Sequence, residues 1–242
     1  MATSLLISDL HLSESTPAIE AGLQCFLYRE ALAPKEPLAA LYILGDFFEA
    51  WIGDDDDAPY IERVRTALQQ VTDRGTALFI NRGNRDFLLG EPFASSVNAT
   101  LLGDQTVVEL AGEATLLMHG DTLCSDDVDY QAFRALAHSE QWQSEMLSKP
   151  LAERRLLAQQ LRAMSADAAS NKAEDIMDVN SDTVAQIMID AGVSRLIHGH
   201  THRPARHVLE QGERVVLGDW SATDGWCVRV TDTTLRLETF KL

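Results

Sequence analysis

Five short segments hold the residues of this chain best suited to chemistry. They are Asp9-Leu10-His11, Gly45-Asp46 with Glu49 three residues on, Gly83-Asn84-Arg85-Asp86, His119-Gly120-Asp121, and His198-Gly199-His200-Thr201-His202. Carboxylate oxygen with imidazole nitrogen suits Mn²⁺, Fe²⁺ or Zn²⁺ better than Ca²⁺. Asn84 adds a neutral oxygen ligand, and Arg85 a fixed fork for phosphate oxygens. Asp46 has two readings, a carboxylate bridging two metal ions or a helix N-cap. Asp9-x-His11 alone reads equally as a loop cap beside a surface histidine, and the Gly83–Asp86 stretch as a turn. Three histidines at alternate positions near residue 200 share one side if the backbone there is extended. His198 reads as a supporting or core histidine, and His200 and His202 as ligands.

The elements that position these residues are apolar runs. Residues 4–7, 41–44, 77–80, 114–118 and 194–197 are short and mostly apolar, and each leads into one of the five segments. Such runs are typical of strands buried on both faces, as in an α/β sheet. Gly45 lets the backbone turn tightly behind Asp46. Residues 17–36 and 59–73 have helical spacing, so the opening order is β-α-β, which favours a parallel sheet. Residues 106–110 pair with 114–118 as a hairpin, and 215–217 and 226–230 close the fold as strands. Asp54–Asp57 reads as a solvated loop, close enough to the segments to shape the surroundings of a metal.

Residues 126–190 differ in character. They contain no glycine and are rich in Leu, Ala, Gln and Arg, the pattern of amphipathic helices. This predicts a helical insertion, residues 126–190, on a core of 1–125 and 191–242. Between 149 and 172, Lys149, Arg154, Arg155, Arg162 and Lys172 stand against Glu153 and Asp167, which gives +3. The two readings are an exposed helix face and a binding surface for an anionic, partly apolar molecule.

The 242 residues carry a formal charge of −17, 45% hydrophobic and 24% charged residues, and three scattered cysteines. That charge argues against nucleic acid as a partner. It also conflicts with an anionic substrate unless cations are bound locally. Cys25, Cys124 and Cys227 read as reduced thiols. The start, with no basic run, does not read as a signal peptide. No apolar run approaches the roughly 18 residues of a membrane span.

In this order the five segments resemble the motifs of the calcineurin-like metallophosphoesterases. The longer blocks YILGDFFEAWIGDDD, GNRDFLLG, MHGDTLC, IMDVN and LIHGHTHRPA resemble the branch that cleaves the pyrophosphate of UDP-2,3-diacylglucosamine in lipid A synthesis. The resemblance implies a four-layered αββα sandwich with a helical cap, and two Mn²⁺ per chain. One ion would be held by Asp9, His11, Asp46 and His202, the other by Asp46, Asn84, His119 and His200. Asp46, Asn84, Arg85 and His119 would form the catalytic set. Asn84 and Arg85 would meet the phosphates, and Asp127, Ser165, Lys172 and His200 the nucleotide–sugar. Ala169 stands where the motif has Asn, and Asn171 is the neighbouring substitute. The resemblance further implies a peripheral enzyme on the cytoplasmic face of the inner membrane, with no obligate protein partner. Two divalent cations against Asp9 and Asp46 leave about +2, which removes the charge conflict. In many relatives the residue after the Asn is His. Here it is Arg85, which cannot give up a proton at neutral pH. That favours a phosphate leaving group, with a second pKa near ~6, over an alkoxide.

Overall fold

The structure, a computed structural model, describes residues 3–170 and 178–242, and side chains for all of these but 166–170. Two sheets carry the fold. The first is built from β1 (Ser4–Ile7), β2 (Ala40–Leu44), β3 (Ala77–Asn81), β4 (Ala99–Leu101), β10 (Asp224–Val230) and β11 (Leu235–Lys241), in the order β11-β10-β1-β2-β3-β4. The second holds β5 (Thr106–Leu110), β6 (Glu113–Leu117), β7 (Arg195–His198), β8 (Ala205–Leu209) and β9 (Gly212–Val216), in the order β5-β6-β7-β9-β8.

The apolar runs are explained by what each face covers. Along β1 and β2, Leu5, Ile7, Leu41 and Ile43 pack beneath α1 (Pro17–Leu27), α2 (Pro59–Asp73) and α3 (Glu91–Ser96). The alternate residues Leu6, Tyr42 and Leu44 meet Leu117, Ile197 and Val215 of the second sheet. Period-two alternation therefore buries both faces. On the far side, Leu116 and Leu196 pack against Val184 and Met188 of α7 (Ser181–Ala191). The layers run helix, sheet, sheet, helix, as the resemblance implies. α7 is thus an outer layer of the core.

Register decides where the segments emerge. β1, β2 and β3 are parallel, with Ile7 opposite Ile43 and Leu44 opposite Asn81. In the second sheet β6 and β7 are parallel, with Leu117 opposite Ile197. All five segments leave their sheets at carboxyl ends, where open α/β sheets bind ligands. The first two stay zipped beyond the sheet: His11 N donates to Asp46 O and Leu12 N to Phe47 O, at 3.1 and 3.0 Å.

Among the described residues, three further α-helices lie between β6 and α7: α4 (Val128–Ala137), α5 (Glu140–Leu147) and α6 (Leu151–Ser170). Asp127 and Ser139 cap α4 and α5 with side-chain oxygens. α6 is tied down by charge. Arg154 donates to both oxygens of Asp55, at 2.7 and 2.5 Å, and Arg155 pairs with Asp56 and Asp57. Asp54 accepts from Gly90 N and Phe93 N at the start of α3. The aspartate run is therefore not a free solvated loop, and much of the basic island is spent on it.

The expected helix over 17–36 is α1 followed by a wider π turn, Tyr28–Leu32. Sequence reading misses β4, β8, β11 and α3. Each of those strands lies at a sheet edge, and α3 is only six residues long.

Candidate metal centre

The strand tips bring the expected ligands into one cluster. Asp9, His11 and His202 place ligand atoms within 4.8 Å of one another, as do Asp9, Asp46 and His119. Asn84 Oδ1 lies 2.9 Å from both His119 Nε2 and His200 Nδ1. His11 Nε2 and His202 Nε2 face each other at 3.2 Å. Asp9 belongs to both groupings, and Asp46 to the second.

The backbone achieves this by a route that sequence periodicity does not describe. Asp9, His11, Asp46, His200 and His202 all have positive φ, between 48° and 66°. The alternate histidines converge in a left-handed loop and not an extended one. For L-residues that conformation costs on the order of 1–2 kcal/mol each, and it persists where the surroundings over-determine it. His200 N donates to Asp9 Oδ2 at 3.0 Å, which stitches the second sheet to the first across the site, and Gly199 N donates to His119 O at 2.8 Å, which holds the two tips of the second sheet together. Glycines make the approach possible. A Cβ on Gly83 would overlap Asp46 Oδ1, one on Gly199 would overlap Asp9 Oδ2, and one on Gly45 would sit 2.6 Å from His119 Nδ1.

The donor set fits divalent cations. His119 Nδ1 lies 2.9 Å from Leu44 O. Donation to that carbonyl turns Nε2 toward the Asn84 and Asp46 oxygens. Oxygen and imidazole acceptors packed this closely require a cation or a proton among them. The electrostatics agree. Burial disfavours charge on His119, yet the Asp46, Asp9 and Asp121 carboxylates raise it to about 9. Burial, with the charge of His119, lowers His200 to about 4. Burial works against the Asp9 carboxylate as well, but His202, His119 and His11 hold it well below the usual range. The pocket is a field that seeks positive charge.

Other side chains complete it. Glu49 lies 3.3 Å from His11 Nδ1, 2.6 Å from Arg85 Nη1 and 3.0 Å from Arg162 Nε. Burial opposes its ionisation, but these three neighbours hold it down to about 2. Arg85 N also donates to Asp46 Oδ1 at 2.9 Å. Buried Asp86 accepts from Gly83 N and Phe47 N, fixing the turn that presents Asn84. Asp121 accepts from Tyr130 Oη and Arg134 Nε, both at 2.6 Å, and the Tyr130 ring stacks 6.3 Å from His200. Sequence reading gives Asp121 and Tyr130 no role and Arg162 only a place in the basic island, because their partners lie in other segments. Glu49 was visible only as the end of its motif.

Of the remaining expected contacts, Asp127 caps α4 and accepts from Tyr130 N, and Ser165 is exposed on α6. Ala169 is on α6 with its side chain outside the description, and Lys172 lies outside the described residues. His198 is fully buried, with Nδ1 2.8 Å from Gly199 O, as a supporting histidine.

Residues 2–204 match the family model described as calcineurin-like phosphoesterase. The chain belongs to the calcineurin-like phosphoesterase family. It is 49% identical over 243 residues to a UDP-2,3-diacylglucosamine hydrolase of Cellvibrio japonicus, covering 99% of each chain. It is 50% identical over 235 residues to a protein of that name from Escherichia coli O7:K1, covering 96% of this chain and 95% of the relative. Among solved structures, an archaeal phosphodiesterase aligns over 99% of both chains with a TM-score of 0.50 at 12% identity, a likeness of fold.

Proposed function

We propose that this chain hydrolyses the pyrophosphate of UDP-2,3-diacylglucosamine, giving UMP and 2,3-diacylglucosamine 1-phosphate. The observation that carries the reading is the convergence of Asp9, His11, Asp46, Asn84, His119, His200 and His202 in one pocket. Near-full-length identity to hydrolases named for that substrate supports it.

Two Mn²⁺ ions, one on Asp9, His11, Asp46 and His202 and one on Asp46, Asn84, His119 and His200, would supply the charge and the water activation that phosphoryl chemistry needs. The chain's own groups do the rest. Arg85 presents its guanidinium to the phosphates and stabilises the charge that grows in the transition state. It offers no proton, and a phosphate leaving group requires none. Glu49 holds Arg85, Arg162 and the ring of His11 in mutual register. His119, fixed by Leu44 O, orients its Nε2 beside Asn84 and Asp46.

The helices of 126–190 that precede α7 form the cap in this reading. Tyr130 beside His200 and Arg162 on Glu49 bring α4 and α6 to the rim of the site. Asp127, Ser165, Lys172 and the Ala169–Asn171 stretch would meet the nucleotide–sugar. Val128, Leu136, Leu156 and Met164 are exposed on these helices and offer apolar surface to acyl chains and to a membrane. No helix among the described residues is long and apolar enough to cross a membrane. Attachment would be peripheral, at the cytoplasmic face of the inner membrane. Because Arg154 and Arg155 are paired internally, it would rest on apolar contact more than on charge.

The test is product analysis with purified, Mn²⁺-supplemented protein on the lipid nucleotide and on a chromogenic phosphodiester. UMP release from the lipid nucleotide is expected. Turnover of the diester alone would instead mark an esterase for soluble substrates.

A further inference from the structure

A cavity of about 250 Å³ includes Thr201 of the histidine loop in its lining, and neither Asn84 nor Arg85 lines it. Its walls include Asp178, Thr201, Arg203, His207 and Arg214. A water needs roughly 10–15 Å³ of such volume, so a small oxyanion fits with room for its hydration.

The lining is cationic in an acidic protein. Arg203 is held by Asp178 at 2.5 Å. Arg214 is different. It comes from β9 and is partly buried; its one hydrogen bond among the described residues runs from Nη1 to His198 Nε2 at 3.3 Å, and the Asp178 carboxylate on the same wall attracts it without pairing with it. No carboxylate among the described residues lies within ion-pairing distance of it. Its β-sheet neighbours contrast with it: Arg195 pairs with Glu113 and Glu213, and Arg206 with Glu213. The chain has 37 acidic residues against 20 basic ones, so leaving this fork unpaired is not for want of acids. A guanidinium has five N–H donors, and a partly buried one with no carboxylate in direct contact leaves most of them unmatched. Thr201 Oγ1, buried at the same wall, also has no hydrogen-bond partner.

We propose that this cavity is a binding site for a phosphate-class oxyanion, separate from the metal centre, with Arg214 as its principal ligand and Thr201 and His207 as secondary donors. A planar fork matches phosphate oxygens two at a time. The site goes beyond the hydrolytic reading and stands without it. Its place matters, because Thr201 lies between His200 and His202. An anion drawn to Arg214 braces the loop that presents both histidines from behind. The ligand is free phosphate or the phosphate group of a monoester.

The experiment is a crystal of the metal-supplemented protein soaked in sodium tungstate, with calorimetric titration of inorganic phosphate and, separately, glucosamine 1-phosphate. The expected result is an anomalous peak within hydrogen-bond reach of Arg214. One class of phosphate binding should weaken at least tenfold in Arg214→Gln and several-fold in Arg214→Lys, which keeps charge but not the fork. Binding of phosphate alone identifies the free ion, and binding of both probes identifies the phosphomonoester group. No peak in the cavity, or titrations unchanged in both variants, overturns the proposal. Asp46→Asn separates this site from the metal centre, since binding at Arg214 should survive that substitution.

Discussion

Arg154 on α6 grips Asp55 with both arms of its guanidinium, joining residues 99 apart in the chain. Arg154 is almost wholly buried and also donates to Ile52 O and Lys149 O. Its loss takes a donor from the buried backbone around Ile52 O and Lys149 O as well as from Asp55. Arg154→Ala should destabilise the protein by about 1–3 kcal/mol, the cost of stranding buried polar groups. Arg154→Lys should not restore it, because one ammonium cannot replace a fork. Urea unfolding of the three proteins checks both statements.

Gly83 has no room for a side chain. Alanine there must displace Asp46, whose carboxylate would occupy the same space. A shift near 1 Å at a reacting centre costs on the order of 100-fold. Gly83→Ala should therefore lose activity by about that factor in the folded protein, and should also lower the melting temperature, because the added Cβ would overlap the backbone nitrogen of Asp46. Activity falling only in proportion to a lowered melting temperature would refute this.

Glu49 links His11 to Arg85 and Arg162. Partners that orient a ligating histidine are commonly worth 10–100-fold in metal affinity. Glu49→Gln should weaken Mn²⁺ binding by roughly that range, measured by equilibrium dialysis. Unchanged affinity would limit Glu49 to holding the two arginines.

Arg85→Lys should behave nearly as Arg85→Ala, with kcat lowered by about 10²–10³ as for loss of one charge-stabilising donor. Full activity in the lysine variant would mean that a point charge suffices.

Glu213 lies between Arg195 and Arg206 on the second sheet. Burial opposes its ionisation, but the two arginines lower its pKa below the usual 4.5. A depressed folded pKa adds stability above the unfolded pKa, and that stability is lost as pH falls through the folded one. Glu213→Gln should lower the melting temperature at pH 7, and the difference from wild type should shrink steadily below about pH 4.5. A difference independent of pH would assign the effect to packing.

The sequence by itself determined the strand tips and the ligand types. Apolar runs four or five residues long end at Asp9, Asp46, Asn84, His119 and His200, and local hydrophobicity is enough to mark such strands. Only the tertiary structure decided how they meet. Parallel register aligned the tips, and left-handed backbone at five ligands turned the side chains inward, a conformation no side-chain periodicity encodes. Likewise, the acidic run and the basic island each read as free charge until α6 brought Arg154 to Asp55 and Arg155 to Asp56. Charge patterns report what a segment carries. Which opposite charge it meets depends on distances that exist only once the chain is folded.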